Sequence, residues 1–225
     1  MVELSEKFIH KYMRKAKAVA DDNKICYSRQ LGAVIIKVYD DGTSRGVSSG
    51  YNGPPKKTPH CDTEEYLREV FWPQLTYEEK CTAAKKVNLV VTVPENDEGG
   101  NEYLDILASC SFAKSAAGCG SCPRRLIDAK TGQRVELCSC QHAERNAIYN
   151  ATEDTYGCWM FCWCGVPCSD CTGAIINAGI KRVYCLDDNT GAHKGDYSYS
   201  SRWLFEKAGV KLVCMNKELF LEEQK

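Results

Sequence analysis

The stretch CWMFCWCGVPCSDCTGAIINAGIKRVYCL, residues 158–186, alternates between two kinds of hydrophobic pattern. Continuous apolar runs predict strands over 158–164 and 181–186, and the segment between them predicts a helix over 169–178. Two strands joined through a helix are normally parallel, and the connection between them is right-handed. This unit therefore indicates a sheet with parallel strands.

The same alternation continues on both sides of this unit. A helix is predicted over 142–151 before it, and a helix over 200–208 and a strand over 210–215 follow it. Near the start, LGAVIIKVYD and RGVSSGYNG predict two strands joined by a turn at Asp41 and Gly42, after an amphipathic helix over 4–21. We expect an α/β fold, a three-layer α/β/α sandwich whose mixed five-stranded sheet has an antiparallel first hairpin and parallel later strands.

The segment between these two regular parts has no clear periodicity. It contains helical patterns around EEYLREVFW and TYEEKCTAAKKV, a short strand pattern NLVVTV and the polar loop PENDEGGN. A chain of 225 residues suits one globular domain. We therefore expect a single domain over 1–225 with an insertion at about 61–140.

The composition limits the classes of partner. The chain is 44% hydrophobic and 26% charged, with a formal net charge of −1, so no global positive field attracts nucleic acid or an anionic membrane. It has no apolar run of the roughly 20 residues that a membrane span needs, and its first residues mix charges throughout. We expect a cytoplasmic protein that binds a small anionic ligand, with no nucleic acid or membrane partner.

The cysteine count of fifteen is high and odd. Because no secretory signal is predicted and several cysteines are closely paired, thiolates on metal are favoured over disulfides. The cysteines outside these pairs are interpreted as small core residues. They include Cys26, Cys81, Cys158, Cys162, Cys164, Cys185 and Cys214.

The segments QHAERNAIYN (141–150) and GVPCSDC (165–171) carry the chemistry. Cys168 and Cys171 lie three residues apart at a predicted helix start, where the helix dipole and free amides favour thiolates. His142 begins the preceding helix, and successive crossovers bring two helix starts to one edge of the sheet. Three such ligands plus an open position form a catalytic zinc site.

Glu144 lies two positions after His142 and is not needed as a ligand. Zinc lowers the pKa of a bound water toward about 7, and a nearby carboxylate can accept the proton and deliver it to a ring nitrogen or a leaving amine. Taken alone, each motif also suits a capped helix, a closed structural zinc site or a redox pair. Taken together, HxE and PCxxC are the pattern of zinc-dependent nucleobase deaminases.

The chain closely resembles the deoxycytidylate (dCMP) deaminase family, which includes viral members. HAERNAI, GVPCSDCTGAIINAGIKRVYC and SSGYNGPP carry the resemblance, which covers about residues 1–60 and 141–215. It implies a cytidine-deaminase-like fold, zinc on His142, Cys168 and Cys171, and Glu144 as proton shuttle. It further implies substrate contacts at Asn52, to the sugar, and at Ala143, and an allosteric nucleotide site involving Gly50, Tyr51 and Asn52.

The resemblance also implies an activity and its regulation. The activity is hydrolysis of dCMP to dUMP and ammonia, which supplies dUMP for thymidylate synthesis. The regulation is activation by dCTP with Mg²⁺, inhibition by dTTP and assembly as a homohexamer. The chain departs from the family at Val166, where a small polar residue is common, in the Cys- and Trp-rich strand before it, and in the middle segment, so no phosphate-binding residue can be carried over.

A second metal site is predicted just before His142. Cys119 and Cys122 form a CxxC pair, and Cys138 and Cys140 form a CxC pair, which together suit a closed, structural zinc site. Such a site would clamp a loop that is too polar to fold on apolar burial alone. Ligand sets drawing on His60, Cys61 or Cys110, and unligated thiols, remain alternatives.

Two other functions compete with dCMP deamination. One is deamination of another base, as in dCTP, free cytidine or adenosine in RNA, although the near-neutral charge argues against RNA. The other is a zinc-stabilised binding module with an inert deaminase centre. An uncoordinated Glu144 has no use in a purely structural site, which favours the enzyme.

Overall fold

The computed structural model describes residues 5–90, 102–120, 122–130, 132–187 and 196–220. The chain forms two compact units. Unit 1 comprises Met1–Lys24, Arg29–Gly53 and Gln141–Lys225, and unit 2 comprises Ile25–Ser28 and Pro54–Cys140. The insertion predicted at about 61–140 falls within unit 2. All fifteen cysteines are free thiols.

Unit 1 contains the five-stranded sheet. Its strands are β1 Gly32–Val38, β2 Ser44–Tyr51, β3 Trp159–Trp163, β4 Arg182–Leu186 and β5 Lys211–Met215. They lie in the order β2-β1-β3-β4-β5. β1 pairs antiparallel with both β2 and β3, and β3, β4 and β5 are parallel. The antiparallel first hairpin and the parallel later strands are thus confirmed.

The helices of the two units follow in chain order. They are α1 Glu6–Asp21, α2 Glu64–Tyr66, α3 Tyr77–Lys86, α4 Glu102–Ala116, α5 Pro123–Leu126, α6 Ala143–Tyr149, α7 Ser169–Asn177 and α8 Asp196–Lys207. The predicted α1, α3, α6 and α7 agree within a few residues, whereas α8 begins four residues earlier than expected and α4 was not predicted. Within the described ranges, no helix is long and apolar enough to cross a membrane.

Helices cover both faces of the sheet in unit 1. On one face, Tyr12, Met13 and Ala16 of α1 pack in a cluster with Phe161 and Tyr184. On the other face, a second cluster joins residues of α6, α7 and α8 with strand residues, among them Ala147, Ile175 and Phe205. The three-layer α/β/α arrangement is therefore as expected.

The Cys- and Trp-rich strand β3 shows how the two faces are filled. Trp159, Phe161 and Trp163 point to the α1 face, and Met160 and Cys162 point to the opposite face. Every residue of β3 is buried. Alternate side chains of a strand face opposite sides, so a strand buried on both sides reads as a continuous apolar run. Core packing thus accounts for this unusual segment.

Unit 2 has an apolar core of its own. Trp72, Phe71 and Phe112 are fully buried there, and Leu126 and Leu137 from the Cys-rich segment join them. The α3 start carries a capping box between Thr76 and Glu79. The Cys-rich segment thus contributes leucines to this core, and the expectation that it needs a metal to fold stays a prediction. The NLVVTV strand pattern is irregular at residues 88–90, and its remainder and PENDEGGN lie outside the described residues.

Candidate functional site

Two helix starts in unit 1 carry the predicted site. His142 is the N-cap residue of α6 and Cys168 is the N-cap residue of α7, both with extended backbone angles. α6 packs directly on β2. The two backbones are so close that a Cβ atom at Gly50 would lie only 2.3 Å from the amide nitrogen of Ala147. Glycine at position 50 thus allows the backbones of α6 and β2 to touch.

The three predicted zinc ligands converge. Their ligand atoms lie within 4.8 Å of one another. The Nδ1 atom of His142 lies 3.5 Å from Sγ of Cys168 and 3.4 Å from Sγ of Cys171. For Zn–S bonds of about 2.3 Å and a Zn–N bond of about 2.0–2.1 Å, tetrahedral angles separate S and N by about 3.6 Å. The arrangement therefore fits zinc, with Nδ1 as the ligand atom of His142.

The electrostatics of the three side chains suit a bound cation. A hydrogen bond from Cys171, then one from His142, lowers the pKa of Cys168 to about 3 against the opposing effect of burial. The Cys168 contact also raises the pKa of His142. The hydrogen bond between Cys168 and Cys171, together with burial, raises the pKa of Cys171. The lowered pKa favours a thiolate at Cys168, and a divalent cation would favour a second one at Cys171.

Glu144 lies on the first turn of α6 and is only 3% exposed. Its Oε1 atom accepts a hydrogen bond from Sγ of Cys164 at 3.7 Å. Its Oε2 atom is buried and has no hydrogen-bond partner among the described residues. Burial raises the pKa of this carboxyl group, and the neighbouring His142 partly offsets that increase. A buried carboxylate oxygen without a partner is poised to bind a ligand or a water molecule.

Cys164 is the residue of this site that the sequence reasoning missed. It was interpreted as a core cysteine, because it ends an apolar run and follows Cys162 at a spacing of two. In the structure it lies just past the end of β3, where its thiol reaches the carboxylate of Glu144. Its position between an apolar strand and PCSDC was the one available signal.

The GYNG segment, residues 50–53, packs against α6. Gly50 lies inside β2 and contacts the α6 backbone. Gly53 forms an isolated antiparallel bridge with Gln141. Asn146 of α6 donates to the backbone oxygens of Tyr51 at 2.8 Å and of Gly53 at 3.4 Å. The segment is therefore fixed to the helix that carries Glu144.

Asn52 is 6% exposed, and its amide is largely engaged by the protein. Oδ1 accepts from the Leu31 amide at 2.8 Å and from Nδ2 of Asn23 at 2.9 Å. Nδ2 donates to the backbone oxygen of Arg29 at 2.8 Å. The second N–H of the Asn52 amide donates to no acceptor within the described ranges. Ala143 is fully buried, and Tyr51 is exposed at the surface of unit 1.

Unit 2 holds a second group of metal-ligating side chains. The ligand atoms of His60, Cys61 and Cys140 lie within 4.8 Å of one another. Hydrogen bonds with Cys138, Cys26 and Cys61 raise the pKa of Cys140. This group differs from the predicted set of Cys119, Cys122, Cys138 and Cys140.

Among the described residues, no group of three metal ligands includes Cys119 or Cys122. Cys119 is exposed, and Cys122 is buried, with a pKa that burial raises. Of the four cysteines predicted to bind the second metal, Cys140 lies in the group of possible ligands and Cys138 lies beside it. His60 and Cys61 were among the alternative ligands that the sequence offered, and the structure brings these two together with Cys140.

Comparisons with known proteins agree with this site. The family model for the cytidine and deoxycytidylate deaminase zinc-binding region matches residues 6–187. Deoxycytidylate deaminase from Schizosaccharomyces pombe is 23% identical over 203 residues, which are 89% of this chain and 42% of that protein. Human deoxycytidylate deaminase is 43% identical over 70 residues, 31% of this chain and 38% of that protein.

These matches leave more than half of each relative unmatched, since the chain spans 42% and 38% of their lengths. Deoxycytidylate deaminase from Mycobacterium phage D29 is 39% identical over 74 residues, 30% of this chain and 57% of that protein. Among solved structures, dCMP deaminase from cyanophage S-TIM5, in complex with dCMP and dUMP, aligns with a TM-score of 0.49 at 17% identity. The alignment covers 95% of this chain and 100% of that chain.

Proposed function

The chain belongs to the cytidine and deoxycytidylate deaminase family, and from this premise we propose that it hydrolyses dCMP to dUMP and ammonia. One observation carries the proposal. His142 Nδ1 and the sulfurs of Cys168 and Cys171 converge at tetrahedral distances, and the buried Glu144 beside them has one carboxylate oxygen that no described residue contacts by a hydrogen bond.

The side chains divide the chemistry between them. His142, Cys168 and Cys171 would hold zinc, which would supply an activated water by lowering its pKa to about 7. Glu144 accepts one proton from the attacking water and delivers it to the ring nitrogen, and it then carries a second proton, from the hydroxyl group that the water has become, to the leaving amine. Water thus supplies the oxygen of dUMP, and the amine leaves as ammonia.

The contacts of the nucleotide are part of the same proposal. Ala143 opens the helix that carries Glu144, and we place the base against its backbone. The remaining N–H of Asn52 donates to a sugar hydroxyl, while the rest of its amide holds Leu31 and Arg29 in place. Gly50, Tyr51 and Asn52 would also bind the effector, with dCTP and Mg²⁺ activating and dTTP inhibiting.

The proposal also covers where the enzyme acts and how it assembles. We place it in the cytoplasm, where it supplies dUMP for thymidylate synthesis and acts on free nucleotides as a homohexamer. The fifteen free thiols suit a reducing compartment, and the net charge of −1 suits a small nucleotide better than nucleic acid or membrane.

We also propose a second, structural zinc in unit 2, held by His60, Cys61 and Cys140. The Asp62 carboxylate contacts Nδ1 of His60, and Nε2 of His60 faces Sγ of Cys61 at 3.9 Å. A carboxylate on the second ring nitrogen is the usual partner of a metal-bound histidine, because it fixes the ring orientation. Cys138, whose pKa the contact with Cys140 lowers to about 6, and Cys26 supply candidates for a fourth thiolate.

The test is a substrate panel on the zinc-loaded protein. Ammonia release and the ultraviolet change from cytosine to uracil are followed on dCMP, dCTP and cytidine, with and without dCTP and Mg²⁺ as effectors. Turnover of dCMP with the highest kcat/KM supports the proposal. Preference for dCTP or cytidine would reassign the substrate, and no turnover of any of them with the metal sites full would end the enzymatic interpretation.

A further inference from the structure

A cavity of about 400 Å³ lies at the edge of the sheet opposite His142. Its lining includes Trp159, Arg182 and Lys211, which are the first residues of the parallel strands β3, β4 and β5. Cys168 follows the other end of β3. The cavity is therefore separated from the zinc ligands by the length of that strand and belongs to a different site.

The three strand residues stand side by side on one face. Trp159 is the register partner of Arg182, and Arg182 is the register partner of Lys211. Two residues further along, Phe161 and Tyr184 point to the α1 face. Since side chains two apart on a strand share a face, the three residues that line the cavity point to this face as well.

Arg182 is the most informative of these residues. It is only 9% exposed, and its guanidinium group lies 4.2 Å from the ring centroid of Trp159. Its side chain makes no ion pair or hydrogen bond with any residue that the structure describes. Arginine is always charged and carries five N–H donors, and a buried charge is normally paired. Stacking on Trp159 leaves the N–H donors available to a ligand in the cavity.

The charge around the cavity is positive. Lys181, Arg182 and Lys211 contribute three positive charges, against one negative charge on Asp40. Lys181 and Lys211 are both exposed, and Nζ of Lys181 lies 5.1 Å from the ring centroid of Tyr156. Neither lysine forms an ion pair with a described residue. In a chain with a net charge of −1, this is a local concentration of positive charge that attracts anions.

The volume of the cavity suits a small ligand. A volume of about 400 Å³ falls within the range of about 300–1,000 Å³ that is typical of small-molecule sites. The fork of an arginine matches two oxygens of a phosphate group, and lysines beside it add point charges. We infer that this cavity is an anion site that binds the phosphate group of a small phosphorylated molecule, with Arg182 as its central contact and Lys181 and Lys211 flanking it.

Isothermal titration calorimetry with pyrophosphate tests this inference on the full chain at constant ionic strength. Binding should weaken at least about tenfold in both Arg182→Gln and Lys211→Gln, because each loses a charge-assisted contact. Lys211 is exposed, so Lys211→Gln keeps the test valid if the buried Arg182 variant folds poorly. Lys85→Gln is the matched control, since it removes the same charge from an exposed position on α3.

The outcomes separate the possibilities. Pyrophosphate binding that both cavity variants weaken and Lys85→Gln does not would support the site. Absence of binding in the parent protein, or equal weakening in all three variants, would overturn it. A single-stranded oligonucleotide that binds more tightly than pyrophosphate through the same residues would replace the small-molecule ligand with a polymer. None of these measurements depends on turnover at His142.

Discussion

The thiol of Cys164 donates a hydrogen bond to Oε1 of Glu144 at 3.7 Å, and Oε2 of the same carboxylate has no partner in the part of the chain that the structure describes. The two oxygens of the buried carboxylate are therefore not equivalent. Oε1 is held by the protein at the end of β3, and in the proposed function Oε2 serves the reacting groups. A fixed carboxylate of this kind needs no reorganisation before it moves a proton.

Replacing Glu144 with Gln should abolish turnover of dCMP and leave zinc bound. The amide keeps the size of the side chain but cannot accept the proton, and general acid–base catalysis contributes about 10²–10⁴-fold to rates. Steady-state kinetics and metal analysis of the same sample check this. Glu206→Gln, at an exposed position of α8, is the control and should retain full activity. Loss of zinc from the Glu144 variant would contradict its role as an unligated base.

Replacing Cys164 with Ala should lower kcat by about tenfold, equivalent to one hydrogen bond to a charged group, with little change in KM. Cys164→Ser should recover most of the loss, because a hydroxyl can donate to the same Oε1 atom. Cys158→Ala is the matched control, since Cys158 is buried in the same apolar cluster without contacting Glu144. If Cys158→Ala slows kcat as much as Cys164→Ala does, loss of packing explains the effect instead.

Replacing Gly50 with Ala should destabilise unit 1 by at least about 1–3 kcal/mol, because the new Cβ atom would overlap the α6 backbone. Its nearest neighbours would be Ala147 N at 2.3 Å and Asn146 C at 2.6 Å. Urea denaturation measures the loss, and weaker zinc retention should accompany it since α6 follows His142. Gly46→Ala on the same strand is the control, because its Cβ would meet no atom within 4 Å. Equal stability of both variants would refute the close contact between β2 and α6.

Metal analysis should find two zinc ions per chain, and each should depend on its own ligands. His142→Ala should lose one ion and retain the other, and Cys140→Ala should show the reverse pattern. Cys119→Ser distinguishes the two ligand sets for unit 2: it should retain both ions, because Cys119 is exposed and outside the His60, Cys61 and Cys140 group. Loss of one ion from Cys119→Ser would restore the set predicted from the CxxC and CxC spacing.

The parts of the fold that follow local patterns were predictable. The apolar runs of β3 and β4, the helical pattern of α7 between them and the turn at Asp41 and Gly42 all depend on residues close together along the chain. The start of α8 and the existence of α4 were harder to predict from the sequence. The apolar residues of α4, such as Phe112, face the core of unit 2, whose other walls come from distant segments.

The sequence by itself determined the parallel crossover, the convergence of His142, Cys168 and Cys171, and the placement of Glu144, because a right-handed crossover brings successive helix starts to one edge of a sheet. Only the tertiary structure decided what depends on contacts between distant segments. Those are the Cys164 thiol on Glu144, the contact of Gly50 with α6, and the grouping of Cys140 with His60 and Cys61. The cavity around Arg182 belongs with them, because strand register, which no local pattern encodes, aligns Trp159, Arg182 and Lys211 across the sheet.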